Sequence, residues 1–153
     1  MSTINKKVIK YSALFVIIIL SLFSYYYIEN KDILARIIFF DVGQGDAILI
    51  ITPSNKTILI DGGPDNKWIS QLGEHLPFYQ RKIDIMILTH AHADHVVGLV
   101  EVLKRYQVEL ILYPGPIEYH STPYLEWLKI IEERSLNLQT TKQGDIFDFN
   151  DNS

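Results

Sequence analysis

Thr89-His90-Ala91-His92-Ala93-Asp94-His95 puts three histidines and a carboxylate within six positions. The run before it, Ile83-Asp84-Ile85-Met86-Ile87-Leu88, is apolar and β-prone and reads as a buried strand. After it, Val96, Leu99, Val100 and Leu103 recur at helical spacing up to Tyr106. The cluster therefore belongs on a strand-to-helix turn, with its side chains projecting past the end of a sheet. Neutral imidazole and carboxylate are the usual ligands of zinc. His90 and His92 are two apart, so on an extended segment they point the same way and can share one ion. Asp94 and His95, at the expected helix start, are candidates to hold a second. The chain has five histidines, and three of them fall in this hexad, so a chance gathering in a polar loop is the weaker reading.

Upstream the composition changes. Residues 11–28 carry no charge and are dominated by Ile, Leu, Phe, Val and Tyr. Eighteen helical residues span roughly 27 Å, close to the thickness of a bilayer's hydrocarbon core. Lys6, Lys7 and Lys10 precede the run, and Tyr25, Tyr26 and Tyr27 close it as an interfacial aromatic belt would. A buried core helix is a poorer fit, because the run is apolar all round. A cleaved signal peptide needs small residues at its cleavage site, and Ser21-Leu22-Phe23-Ser24 before three tyrosines offers a poor one. The expectation is an uncleaved single-pass anchor in the cell membrane, with the basic end inside and the following domain extracytoplasmic. Residues 1–10 are then a cytoplasmic tail, 11–28 the transmembrane anchor, 29–34 a linker and 35–153 the functional domain.

The whole chain has 153 residues and a formal charge of −4, which gives no electrostatic case for a nucleic-acid surface. It has no cysteine, so disulfides and thiolate ligands are excluded. Strands are expected at residues 36–40, 47–52 and 57–60, with a hairpin turn at Pro53-Ser54-Asn55-Lys56. Gly43-Gln44-Gly45 is not a dinucleotide fingerprint: Ile48 stands where its third glycine belongs, and no helix follows. Those glycines suit a tight turn, with Asp41 and Asp46 as candidates for the edge of a cleft. Asp61-Gly62-Gly63 ends the third strand and reads by itself as a turn. Helices are expected at 66–75, with Trp68, Ile69 and Leu72 inward, and at 122–134, with Leu125, Leu128, Ile130 and Ile131 as its apolar side. A strand is expected at 109–112, and edge strands at 137–141 and 146–149. His75 and His120 are isolated and receive no ligand role.

The hexad resembles the signature of the metallo-β-lactamase superfamily. Phe40-Asp41-Val42-Gly43-Gln44-Gly45-Asp46-Ala47, Ile58-Leu59-Ile60-Asp61-Gly62-Gly63 and Leu88-Thr89-His90 are similar to the ComEC-type hydrolase domains of DNA uptake and their free-standing relatives. The resemblance runs from about Ile37 to the end of the chain. It implies an α/β fold, the αββα sandwich of that superfamily, and a hydrolase holding one or two zinc ions, with Mn2+ as the other candidate. His90, His92, Asp94 and His95 would be ligands, with Asp94 also catalytic, orienting a metal-activated water. Asp61 would lie behind them, hydrogen-bonding the ligand loop. DNA or another phosphodiester is the implied substrate. Two features depart from the family: ComEC-type domains often carry Asp at the place of His92, and two glycines where this chain has Val97-Gly98.

The superfamily domain has two βα halves, and the second supplies the remaining ligands. The resemblance therefore implies an amino-terminal half domain whose ions need ligands from elsewhere: a truncated product, a piece of a longer gene, or half of a split enzyme completed by a second chain. Several of Ile38, Phe40, Ile48, Ile50, Leu59, Ile85 and Ile87 should then face an uncovered side of the sheet. The alternative to a membrane-anchored hydrolase is a non-catalytic fragment that binds a partner through that face.

Overall fold

The computed structural model describes residues 3–29, 34–77, 79–116, 118 and 121–147. The chain divides into two units, residues 1–33 and residues 34–153. The first is one helix, α1 (Thr3–Glu29). Its stretch Ile9–Tyr26 is by length and composition a candidate membrane span, and a signal sequence would pass the same test. Most of the expected linker at 29–34 lies outside the described residues, as does His120.

The second unit runs β1 (Arg36–Phe39), β2 (Ile48–Ile51), β3 (Thr57–Ile60), α2 (Ile69–His75), β4 (Lys82–Ile87), α3 (Ala93–Arg105), β5 (Gln107–Tyr113), α4 (Thr122–Glu133) and β6 (Leu138–Thr140). The six strands make one sheet in sequence order. β1, β2 and β3 are antiparallel neighbours, and β3 through β6 pair in parallel. The switch follows from the connections. Short turns join the first three strands, whereas stretches containing α2, α3 and α4 return the chain to the same end for each later strand. In the β2–β3 turn Asn55 takes a left-handed φ of 63°, which Asn tolerates better than most residues.

Alternation divides the first three strands between two faces. Leu49, Ile51 and Leu59 are buried and join a core with Ile69 and Leu72 of α2, Val96, Leu99 and Leu103 of α3, and Trp127 and Ile131 of α4. In β4 and β5 the alternation is broken: Ile83 and Met86, and Val108 and Ile111, enter this core three residues apart. The other face carries Ile37, Phe39, Ile48, Ile50, Ile58, Ile60, Ile85, Ile87, Leu110 and Leu112, none of which belongs to the helix-side core. Phe39 is 74% and Ile37 59% exposed. Strands apolar on both sides are the pattern of a sheet built to be covered twice. Of the seven apolar residues singled out from sequence, Ile38, Phe40 and Leu59 face the helices, and Ile48, Ile50, Ile85 and Ile87 the other side.

Two local expectations need correction. Leu125 is half exposed, and the buried stripe of α4 is Tyr124, Trp127, Ile130 and Ile131. Helical spacing from Trp127 selects 124, 130 and 131 and turns 125 outward. Ile146 and Phe147 lie in no strand, and residues 148–149 lie outside the described ones.

Candidate metal centre

β3 and β4 are parallel neighbours with Ile60 beside Ile87, so their carboxyl ends release the chain at adjacent points. Asp61 leaves β3 there, its N–H donating to the Ile87 carbonyl at 2.9 Å. Thr89 and His90 leave β4, and α3 begins three residues later with Asp94 in its first turn. An acidic residue there faces the positive end of the helix dipole. Carboxyl ends of parallel strands are where open α/β sheets gather ligands.

Asp61 is 1% exposed and takes a left-handed φ of 56°, a conformation Asp adopts more readily than most residues. Its carboxylate accepts the Thr89 N–H at 2.9 Å and the Thr89 hydroxyl at 2.6 Å. His95 Nδ1 lies 2.9 Å from Asp61 Oδ2. A carboxylate only accepts, so the proton sits on His95 Nδ1, and Nε2 presents its lone pair. The Thr89 hydroxyl has given its hydrogen to Asp61, so toward His90 Nδ1, 3.0 Å away, it acts as acceptor. His90 Nε2 is then also the lone-pair nitrogen. One buried carboxylate and one hydroxyl thus set the tautomers of two histidines.

The rings are mutual neighbours. His90 lies 3.9 Å from His95 and 4.8 Å from His92, centroid to centroid. The sequence spacing paired His90 with His92 and Asp94 with His95. The fold keeps His92 beside His90 and adds His95, whose tilted ring lies nearer still, where the first turn of α3 meets the end of β4. Ligand atoms of Asp61, His90 and His95 lie within 4.8 Å of one another. With three donors already on it, Asp61 is better suited to orienting the histidines than to holding an ion. Asp94 Oδ2 is 4.0 Å from His95 Nε2. His92 is exposed at the helix start.

Asp46 and Asp41 part company. Asp46 Oδ2 comes to 3.9 Å from His95 Nδ1, although the side chain is 63% exposed. Asp41 is exposed and accepts the Gly43 N–H at 3.3 Å, which closes its own turn. His75, at the end of α2, packs against Phe40 at 6.0 Å. The ligand turn is tied down from its far side by Ser121, whose hydroxyl donates to the Ala91 carbonyl at 3.0 Å and accepts the Tyr124 N–H that starts α4.

Sequence reading missed Thr89, Gln44 and the packing of Gly98. Thr89 acts through Asp61, 28 residues away, and Gln44 through Asp94, 50 residues away. No local pattern marks such pairs. Imidazole and carboxylate groups converging on one point fit a borderline divalent ion such as zinc. Among the described residues, the ligand atoms that converge are those of Asp61, His90 and His95.

Curated relatives agree in kind. The chain is 30% identical over 129 residues to ComE operon protein 3 of Bacillus subtilis (strain 168), covering 72% of this chain and 16% of that protein. It is 37% identical over 65 residues to a UPF0173 metal-dependent hydrolase of Thermodesulfovibrio yellowstonii, covering 40% of this chain and 23% of the relative. The chain thus spans less than a quarter of either curated relative. A solved diphosphatase from the PhnP family aligns with a TM-score of 0.43 and 22% identity, over 68% of this chain and 39% of its own. The family model described as the metallo-beta-lactamase superfamily matches residues 40–150. That match takes in five of the six strands and the whole ligand turn, and the chain belongs to the metallo-beta-lactamase superfamily.

Proposed function

We propose that this chain is a membrane-anchored, metal-dependent hydrolase of the ComEC type, acting on a phosphodiester such as DNA outside the cell membrane. The observation that carries the reading is the Asp61–Thr89 network, which leaves the Nε2 atoms of His90 and His95 as neighbouring lone-pair donors. His90, His92, Asp94 and His95 would hold one or two zinc ions, or Mn2+ in their place. A divalent ion bound there supplies Lewis acidity and makes water a nucleophile near neutral pH. Asp94 is the catalytic carboxylate: it accepts a hydrogen bond from the attacking water and aims it. Asp61 holds the histidines from behind, and Asp46 stands at the rim. The metal-dependent hydrolase relative supports the reaction class, and the length and apolar composition of Ile9–Tyr26 support the membrane setting.

The test is metal content and turnover of the full chain in detergent micelles. Hydrolysis of bis(4-nitrophenyl) phosphate and of single-stranded DNA should be lost with EDTA and restored by zinc or manganese. Turnover unaffected by EDTA, or a chain that takes up neither metal, would sink the reading. Lys6, Lys7 and Lys10 should hold the amino terminus inside, so protease added to spheroplasts should digest the domain. A domain protected until lysis would remove the extracytoplasmic assignment.

A second reading rests on the open face of the sheet. Ile48, Ile50, Ile58, Ile60 and Ile87 are only half-buried, and Ile37 and Phe39 are exposed. Each large apolar side chain left in water forgoes about 1.5–3 kcal/mol, so a few rival the 5–15 kcal/mol stability of a typical domain. The occupant that fits is a second apolar sheet, from another chain that completes the domain and its metal ligands. Ile50→Lys should then reduce self-association of residues 34–153 in sedimentation and abolish pairing with such a chain. Unchanged sedimentation would count against this face as the interface.

A further inference from the structure

The connection from β1 to β2 leans on the start of α3. A Cβ on Gly45 would overlap the Asp94 carbonyl oxygen and come to 3.0 Å from Asp94 Cβ, so the loop lies directly on the ligand turn. Its other side is pinned by the Asp46 carbonyl, which accepts the Gly63 N–H at 2.8 Å. Just before these anchors Gln44 reaches across, and its Nε2 donates to Asp94 Oδ2 at 3.3 Å. The same oxygen lies 4.0 Å from His95 Nε2, the nitrogen that the Asp61 hydrogen bond turns outward.

A carboxylate has two oxygens and about four lone-pair directions. Its terminal torsion is broad, so on an isolated aspartate those directions are poorly defined. A donor on one oxygen narrows the choice. We propose that Gln44 is a positioning residue for Asp94: its side-chain amide holds the carboxylate so that the free lone pairs face His95 and the metal. The inference rests on the metal-centre reading above and goes beyond it, because the β1–β2 loop becomes part of the centre's scaffold rather than a turn alone. Gly43 and Gly45 flank Gln44 at φ of 75° and 86°, the left-handed backbone that lets the loop fold back so tightly.

The experiment is a double-mutant cycle on zinc affinity, read by competition with a chromophoric chelator, using the full chain in detergent micelles. Gln44→Met keeps the length of the side chain and removes the donor. It should weaken zinc binding about tenfold, as the loss of an orienting partner typically does, and leave the unfolding midpoint of the metal-free protein unchanged. In an Asp94→Ala background the same substitution should cost nothing further, because the two residues act as one unit. Full affinity in Gln44→Met would overturn the proposal. So would an equal loss with Asp94 already removed, which would mean that Gln44 only packs the loop. A wild-type chain that binds no zinc would instead overturn the metal-centre reading, and this inference with it.

Discussion

Gly62 and Gly98 meet backbone to backbone: a Cβ on Gly98 would overlap the Gly62 carbonyl oxygen and come within 2.7 Å of Trp68 Nε1. The same carbonyl accepts the Trp68 indole N–H at 2.6 Å, and the Gly62 N–H donates to the His95 carbonyl at 2.7 Å. This contact sets α3 close against the Asp61 loop. Gly98→Ala should therefore cost several kcal/mol, more than the roughly 1–3 usual for an overpacked site, because the obstruction is backbone. Urea unfolding of residues 34–153 is the measurement. A loss within about 0.5 kcal/mol, the range of an ordinary surface change, would show that the contact has slack.

Asp61→Asn should act on stability and on metal together. The substitution weakens three hydrogen bonds at a buried point, and an unsatisfied buried donor costs about 1–3 kcal/mol. It also weakens the hydrogen bond that orients the His95 ring, so zinc affinity should fall between roughly ten- and a hundredfold. Chelator competition and denaturant midpoints read the two effects separately. A variant with wild-type affinity would show that Asp61 does not orient the histidines.

His92→Ala and Asp94→Ala should separate folding from chemistry. His92 is exposed, so its loss should change stability by less than about 0.5 kcal/mol while, in a completed domain, abolishing occupancy of the ion it shares. Asp94→Ala should remove hydrolysis and cost about 0.3–1 kcal/mol through the helix dipole. If both variants kept full metal content and turnover, the hexad would not be the site.

Stability should fall in acid through Asp84. Burial pushes its carboxyl up, but the Thr57 N–H and hydroxyl and the Lys56 ammonium outweigh that and hold it below its ordinary value of 3.8. The unfolded chain then takes up the proton first as pH drops. This contribution is fully present above 3.8 and is lost as pH falls from there through the folded value. Urea midpoints from pH 6 to pH 3 should drop more steeply for the wild type than for Asp84→Asn. Parallel curves would assign the acid sensitivity to other groups.

Much of the second unit was legible because its signals are local. Arg36–Phe39, Thr57–Ile60 and Lys82–Ile87 announce themselves by β-branched runs between turn residues, and α3 by its apolar spacing. His90, His92, Asp94 and His95 stand out because a plain polar loop has no need of so many metal-binding groups in six positions. The second apolar face of the strands was expected from the family resemblance, which implied a sheet covered on both sides. The sequence alone thus determined the elements and the ligand-bearing turn.

Tertiary structure decided which groups meet. Local spacing paired His90 with His92, and the close placement of α3 against the Asp61 loop, made possible by Gly62 and Gly98, brings the His95 ring beside His90 as well. The choice of Asp46 over Asp41 as the carboxylate near His95, the Thr89 hydroxyl as the link between two histidines, and Gln44 on Asp94 were settled the same way. These contacts join residues brought together by parallel strand ends and a folded-back loop. Periodicity within one element carries no information about such distances, because they are set by how the elements pack and by where the absence of a Cβ lets backbones touch.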